Sequence, residues 1–138
     1  MEQPNVAGSL AGRRVLLVED ADDIRDLLAF LVRLEGAEVR TAPTAGAALA
    51  VAASWEFDVL LTDLGLPDMP GDLLIKQLRA MKTPRPRVVV VTGYGEPYLT
   101  RATQAGADAV FVKPLEWSIL RAELAERDKA ERDKALAA

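Results

Sequence analysis

Four short, nearly all-apolar runs punctuate the chain at Val15–Val18, Val59–Leu61, Val88–Val91 and Ala109–Val112, with a weaker fifth at Glu38–Thr41. Most are rich in β-branched residues, and continuous apolar runs of this length suit strands covered on both faces, as in a parallel sheet. Segments of helical length separate them, at about 22–35, 44–54, 71–82, 96–105 and from 115 onward. In the first, Ile24, Leu27, Leu28, Leu31 and Leu34 recur at spacings of three and four, which predicts one buried stripe. Gly36 and Gly106 stand where left-handed helix ends are expected. Five strand–helix units in alternation predict an α/β fold: a doubly wound, five-stranded parallel sheet with helices on both faces and right-handed crossovers.

The flanks differ from this body. Residues 1–12 include Gln3, Pro4, Asn5, Gly8, Ser9 and Gly12, show no sustained period, and read as an N-terminal tail or linker. Residues 13–122 form one domain, and residues 123–138 read as a charged extension of the last helix. Within that extension, Ala125-Glu126-Arg127-Asp128-Lys129 is followed by Ala130-Glu131-Arg132-Asp133-Lys134. At helical spacing this repeat pairs opposite charges such as Glu123 with Arg127 and Arg127 with Glu131, and it is too polar for a coiled-coil seam. It reads as a solvated helix end, or as a spacer toward a partner or a second protomer.

Composition narrows the chemistry. The 138 residues hold 17 Lys+Arg, 21 Asp+Glu, no Cys and no His. Thiolate nucleophiles, disulfides, imidazole bases and the usual transition-metal sites are therefore excluded. The net charge of −4 argues against nucleic-acid and anionic-membrane partners. Residues 1–120 hold 12 basic and 16 acidic side chains while residues 121–138 hold five of each, so the acidity belongs to the body. No apolar run approaches the length of a membrane span and the N-terminus lacks the pattern of a signal peptide, so a cytoplasmic protein is expected.

Open parallel sheets bind ligands at the carboxyl ends of their strands. Here those ends carry Glu19-Asp20, Asp63, Thr92-Gly93 and Lys113-Pro114. Taken alone, each has a bland reading: Glu-Asp as a helix cap, Thr-Gly and Lys-Pro as turns, and Pro67, Pro70 and Gly71 as loop punctuation, with Gly71 there for backbone conformation. Taken together they bring three carboxylates, a hydroxyl and an ammonium to one edge. Clustered carboxylates repel unless a cation shares them, and Mg²⁺ suits oxygen ligands. On this reading Glu19 and Asp20 hold the metal, Asp63 keeps an oxygen free as a nucleophile, and Lys113 and Thr92 face the oxygens of a phosphoryl group. Asp22, Asp23 and Asp26 are helix-start residues that suit the helix dipole.

Over about residues 13–122 the chain resembles the receiver domains of bacterial two-component response regulators. The resemblance rests on Val18-Glu19-Asp20, Asp63 with Leu66-Pro67 and Gly71, Thr92-Gly93, and Gly106-Ala107-Asp108 leading to Lys113-Pro114. It implies a flavodoxin-like sheet of order 2-1-3-4-5 and a signalling switch rather than a metabolic enzyme. Asp63 would accept the phosphoryl group from a phosphohistidine on a histidine kinase or histidine phosphotransfer protein. Asp20, Asp63 and the backbone carbonyl of Gly65 would ligate Mg²⁺, with Glu19 acting through water. Lys113, before a cis Pro114, and Thr92 would contact the phosphoryl oxygens, and Gly93 would leave room for the donor.

Gly65 and Tyr94 occupy two positions that tune hydrolysis in the family, and neither offers an acid or amide to position water. Slow to moderate autodephosphorylation is expected. Val110 stands where most receivers carry an aromatic residue that rotates together with Thr92; its neighbour Phe111 faces the other side of the strand. The implied switch therefore works by another route. The length leaves no room for an output domain, so the chain reads as a stand-alone regulator, a relay, or a receiver from a hybrid kinase, with a homodimer open. A phosphorylation-independent pseudo-receiver is the alternative. A phosphohydrolase of another α/β family would want an acid at Gly65.

Overall fold

The computed structural model describes residues 8–82 and 85–126. Its ten elements alternate: β1 (Arg14–Val18), α1 (Asp22–Leu34), β2 (Glu38–Ala42), α2 (Ala45–Ala52), β3 (Val59–Thr62), α3 (Gly71–Met81), β4 (Arg87–Thr92), α4 (Tyr98–Ala105), β5 (Ala109–Val112) and α5 (Trp117–Ala125). The strands form one parallel sheet in the order β2-β1-β3-β4-β5. Strand order reverses beside β1, and that reversal opens a crevice at the carboxyl edge between β1 and β3.

The apolar runs of β1, β3 and β4 are buried because both faces of the sheet are covered there, while that of the edge strand β5 is partly exposed. Leu16, Val18, Leu60, Val88 and Val90 meet α2, α3 and α4, through Ala48, Leu74, Ile75, Leu78 and Ala102. On the other face Val15, Leu17, Val59, Leu61 and Val89 meet α1 and α5, through Ala29, Val32, Leu120 and Leu124. Gly106 ends α4 in the left-handed region at φ 119°, and Gly36, at φ 97° just after α1, plays the same part there.

Three expectations need correction. The α1 stripe is only partly buried: Ala29 and Val32 are buried, Leu28 and Leu31 half-buried, with Leu28 against the core, while Ile24, Leu27 and Leu34 are exposed. The large apolar residues form a broad arc of which the sheet takes one edge, and spacing alone does not choose that edge. The expected tail at 1–12 is packed at its end, with Leu10 fully buried and its N–H bonded to the Glu35 carbonyl at 2.9 Å. Arg13 follows, its Nε donating to the carbonyl of Leu124 at 3.4 Å. Glu123 pairs with Arg87, and α5 ends at Ala125 with Glu126 extended, while the expected partner Arg127 lies outside the described residues. The five-residue repeat beyond Glu126 lies outside the described residues.

Candidate functional site

Backbone pairing assembles the site. Val18 pairs with Ala42 and Thr62, Thr62 with Val90, and Thr92 with Val112. The ladder runs one residue further: Glu19 N–H reaches the Ala42 carbonyl (3.1 Å), Asp63 N–H that of Val18 (3.3 Å), and Lys113 N–H that of Thr92 (2.7 Å). Glu19 and Asp63 thereby end neighbouring strands, and Lys113 ends β5, one strand further on across β4. The Lys113 ammonium donates to Asp63 Oδ2 at 3.0 Å and to Glu19 Oε1 at 3.4 Å, across 50 and 94 residues of sequence. Asp63 Oδ1 accepts the N–H groups of Leu64 (2.6 Å) and Gly65 (3.2 Å). Thr92 is fully buried, and its Oγ1 accepts the Tyr94 N–H at 3.2 Å. The Lys113–Pro114 bond is cis, as the resemblance implies, and so is Glu96–Pro97, which nothing in the sequence foretold.

The electrostatics follow from burial and from Lys113. Burial pushes the Asp63 carboxyl up, but the Lys113 hydrogen bond, the Gly65 N–H, the Lys113 charge and the Thr92 hydroxyl together hold it below the ordinary value. Asp63 is thus an ionised carboxylate at neutral pH. Burial depresses Lys113, yet Asp63 and Glu19 hold its proton on more tightly than usual. Glu19 goes the other way: burial is the largest cause, the Ala21 N–H and Lys113 only partly offset it, and Asp20 and Asp63 push it further up. The rise comes first from burial, the neighbouring carboxyl groups add to it, and a cation at this edge would offset their repulsion. The donors there are all oxygen, as a hard divalent cation requires. Among the described residues no three acidic side chains close around a single point. That suits an ion held by one or two carboxylates and water.

The helix-cap reading of Glu19-Asp20 fails, because the N-cap of α1 is Ala21 and no side chain caps it. Glu19 Oε2 instead accepts the Ala21 N–H at 3.1 Å, and the exposed Asp20 stands at the rim. Gly71 is corrected as well: it has no positive φ, but a Cβ there would lie 2.6 Å from both the Asp63 carbonyl oxygen and Leu64 Cα. It is a close-approach glycine that lets α3 start against Asp63 and Leu64. A Cβ on Gly65 would meet the Tyr94 hydroxyl at 2.7 Å, so the phenol lies over that backbone. Tyr94 and Tyr98, with ring centroids 5.0 Å apart, wall a cleft of about 350 Å³ with Leu64–Pro70 and Asp72. Gly93 faces open space. Val110 lies away from this edge, lining a groove with Leu99 and Thr103 of α4, while Phe111 packs on the opposite side of the sheet.

One residue escaped sequence reading. Asp68, in the β3–α3 loop, accepts the N–H groups of Ala45 (2.9 Å) and Gly46 (2.8 Å) at the start of α2. Those bonds hold its carboxyl below the usual range. An Asp after Pro67 signals a turn, but nothing in the sequence signals a target 22 residues upstream.

Residues 15–125 match the response regulator receiver domain family. The chain belongs to that family. This receiver is 36% identical over 107 residues to the transcriptional regulatory protein FixJ of Rhizobium meliloti, covering 77% of this chain and 52% of FixJ. It therefore spans about half the length of that relative. A CheY-like receiver domain protein from Methanospirillum hungatei superposes with a TM-score of 0.76 at 31% identity, over 89% of this receiver and 98% of that chain. The response regulator TrrA of Thermotoga maritima, solved in complex with Mg²⁺ and BeF, superposes with a TM-score of 0.73 at 27% identity over 81% and 96% of the two chains.

Proposed function

We propose that this receiver is a phosphoacceptor switch in a two-component phosphorelay, with Asp63 the residue that carries the phosphoryl group. The observation that supports this most is the Lys113 ammonium held 3.0 Å from an ionised Asp63 at the carboxyl edge of the sheet. Asp63 Oδ1 is bonded to two backbone N–H groups, so its carboxylate is oriented before any donor arrives. The donor is a phosphohistidine outside this sequence, which has no His, on a histidine kinase or a histidine phosphotransfer protein, and the meeting takes place in the cytoplasm.

In the transfer, an Asp63 carboxylate oxygen bonds to phosphorus as the P–N bond to the donor imidazole breaks. The leaving nitrogen takes up a proton. Lys113 pairs with the oxygens of the transferred group, and the Thr92 hydroxyl donates to one of them. Mg²⁺, held by Asp20, Asp63 and the Gly65 carbonyl with Glu19 behind them, would neutralise charge on those oxygens. Gly93 leaves the approach open. Because neither Gly65 nor Tyr94 positions an attacking water, the aspartyl phosphate outlasts a few seconds.

The deciding experiment is incubation with acetyl phosphate and Mg²⁺, read by intact-protein mass. A gain of one phosphoryl group that Asp63→Asn abolishes is expected. No gain at saturating donor, with no response to beryllium fluoride, would favour a pseudo-receiver that binds partners without phosphorylation.

A further inference from the structure

Two peptide units flank Asp20, and a different side chain holds each of them. Glu19 Oε2 accepts the Ala21 N–H at 3.1 Å, which fixes the unit after Asp20. The Glu19 carbonyl, in the unit before Asp20, accepts a hydrogen bond from Nη1 of Arg25 at 2.9 Å. Among the described residues no backbone N–H reaches that carbonyl, although Glu19 is buried. A buried carbonyl without a partner is costly, so Arg25 supplies what the backbone does not. The other arm of the guanidinium, Nη2, donates to Asp22 Oδ1 at 2.6 Å.

The position of Arg25 in the sequence suits this contact. Helical side chains lean toward the N-terminus of their helix, so a long one at the fourth residue of α1 lies back over the first turn and the loop before it. The ion pair with Asp22 does not by itself account for the placement. Asp22 is 81% exposed, and exposed pairs contribute little, whereas the Arg25 side chain is 15% exposed and reaches past Asp22 to the loop.

We propose that Arg25 is a positioning residue for the divalent cation: by holding the Glu19 carbonyl it sets the backbone from which the Asp20 carboxylate points. A peptide unit is planar, so a bond at its carbonyl also fixes the direction in which Asp20 begins. Asp20 is exposed at the rim, and its backbone therefore does more than packing to aim its side chain. Arg25 has this role only if the edge is the Mg²⁺-dependent phosphoacceptor site proposed above. Its charge and its hydrogen bond then act in opposite directions. As a charge beside Glu19 and Asp20 it competes with a cation, while as an anchor it favours one. Partners that orient metal ligands contribute roughly ten- to a hundredfold in affinity, so the anchor prevails.

Mg²⁺ titration followed by amide NMR tests this. The wild-type chain is expected to show shifts at Glu19–Ala21 and Gly65 that Asp20→Asn loses. Arg25→Met keeps the apolar stem but removes the charge and the donors, and is expected to bind Mg²⁺ about tenfold more weakly with unchanged circular dichroism. Arg25→Lys keeps the charge but cannot span both acceptors, and is expected to fall between the two. Tighter binding by Arg25→Met would mean that only the charge matters, and unchanged binding that the bond serves stability alone; either overturns the proposal. Should Arg25→Met fail to fold, wild-type affinity in Arg25→Lys would overturn it equally. A wild-type chain without Mg²⁺ shifts at this edge would sink the phosphoacceptor reading together with the role of Arg25, whereas shifts that Asp20→Asn loses and Arg25→Met keeps at full affinity would sink the role of Arg25 alone.

Discussion

Two glycines show how differently one residue type constrains this site. At Gly71 the obstacles to a Cβ are the Asp63 carbonyl and Leu64 Cα, both backbone atoms that cannot move without dragging the β3–α3 loop. At Gly65 the obstacle is the end of the Tyr94 ring, which is exposed and free to swing outward. Gly71→Ala is expected to cost about 1–3 kcal/mol, the range for overpacking a close contact, while Gly65→Ala costs a small fraction of that. Urea unfolding of the two variants checks this; equal midpoints would show that the loop yields as easily as the tyrosine. The residue scale also explains Lys113. Its ammonium joins two carboxylates that would otherwise repel, and each partner tightens its hold on the proton.

At the scale of elements, the site depends on loops held by residues outside it. Asp68 ties the β3–α3 loop to the start of α2, satisfying two N–H groups that no helical partner reaches. Because those bonds lower its folded-state pKa, their stabilisation is present above the unfolded value of about 3.9 and fades as pH falls through the folded value. Asp68→Ala is therefore expected to be less stable than wild type at pH 7, with the gap narrowing below about pH 4. Chemical denaturation at pH 7, 5 and 3 reads it out, and a gap independent of pH would mean that the carboxylate charge is irrelevant. Strand β5 makes a further point about elements. Alternation places Val110 beside α4 and Phe111 beside α5, so the aromatic ring is on the face that cannot follow Thr92.

For the whole molecule, the carboxyl edge is where folding leaves an imbalance. Glu19 and Asp63 share the Lys113 ammonium, and the Glu19 carboxyl is raised chiefly by its burial, with Asp20 and Asp63 adding to the rise. A divalent cation that binds only the folded chain offsets their contribution. At tenfold excess over its dissociation constant such binding adds about 1.4 kcal/mol, or roughly 5 °C in Tm for a chain of this size. Thermal melts with and without Mg²⁺ are expected to show that gain in the wild-type chain and to lose it in Asp20→Asn and Asp63→Asn. A gain kept in both variants would place the ion elsewhere. The packed N-terminal residues belong to this scale too: buried Leu10 and Arg13, which reaches the end of α5, make the start of the domain part of its stability.

Four strands and their order along the chain were readable from sequence because a strand covered on both faces selects apolar residues at successive positions, whereas the edge strand β2, exposed at Glu38 and Arg40, carried only a weak signal. The residues that follow each strand were readable for a related reason, since parallel strands deliver their carboxyl ends to one edge. Which side of α1 turns inward was not, because Ile24, Leu27, Leu28, Phe30, Leu31 and Leu34 cover a little under half of the helix and the sheet takes only the edge of that arc at Leu28, together with Val32 and Ala29. Nor was the hold of Asp68 on α2, or the seat of Lys113 between Glu19 and Asp63. Those contacts join residues 22 to 94 positions apart, and side-chain reach across such distances is set by the register of the sheet and the path of a loop, neither of which is a local property of the sequence.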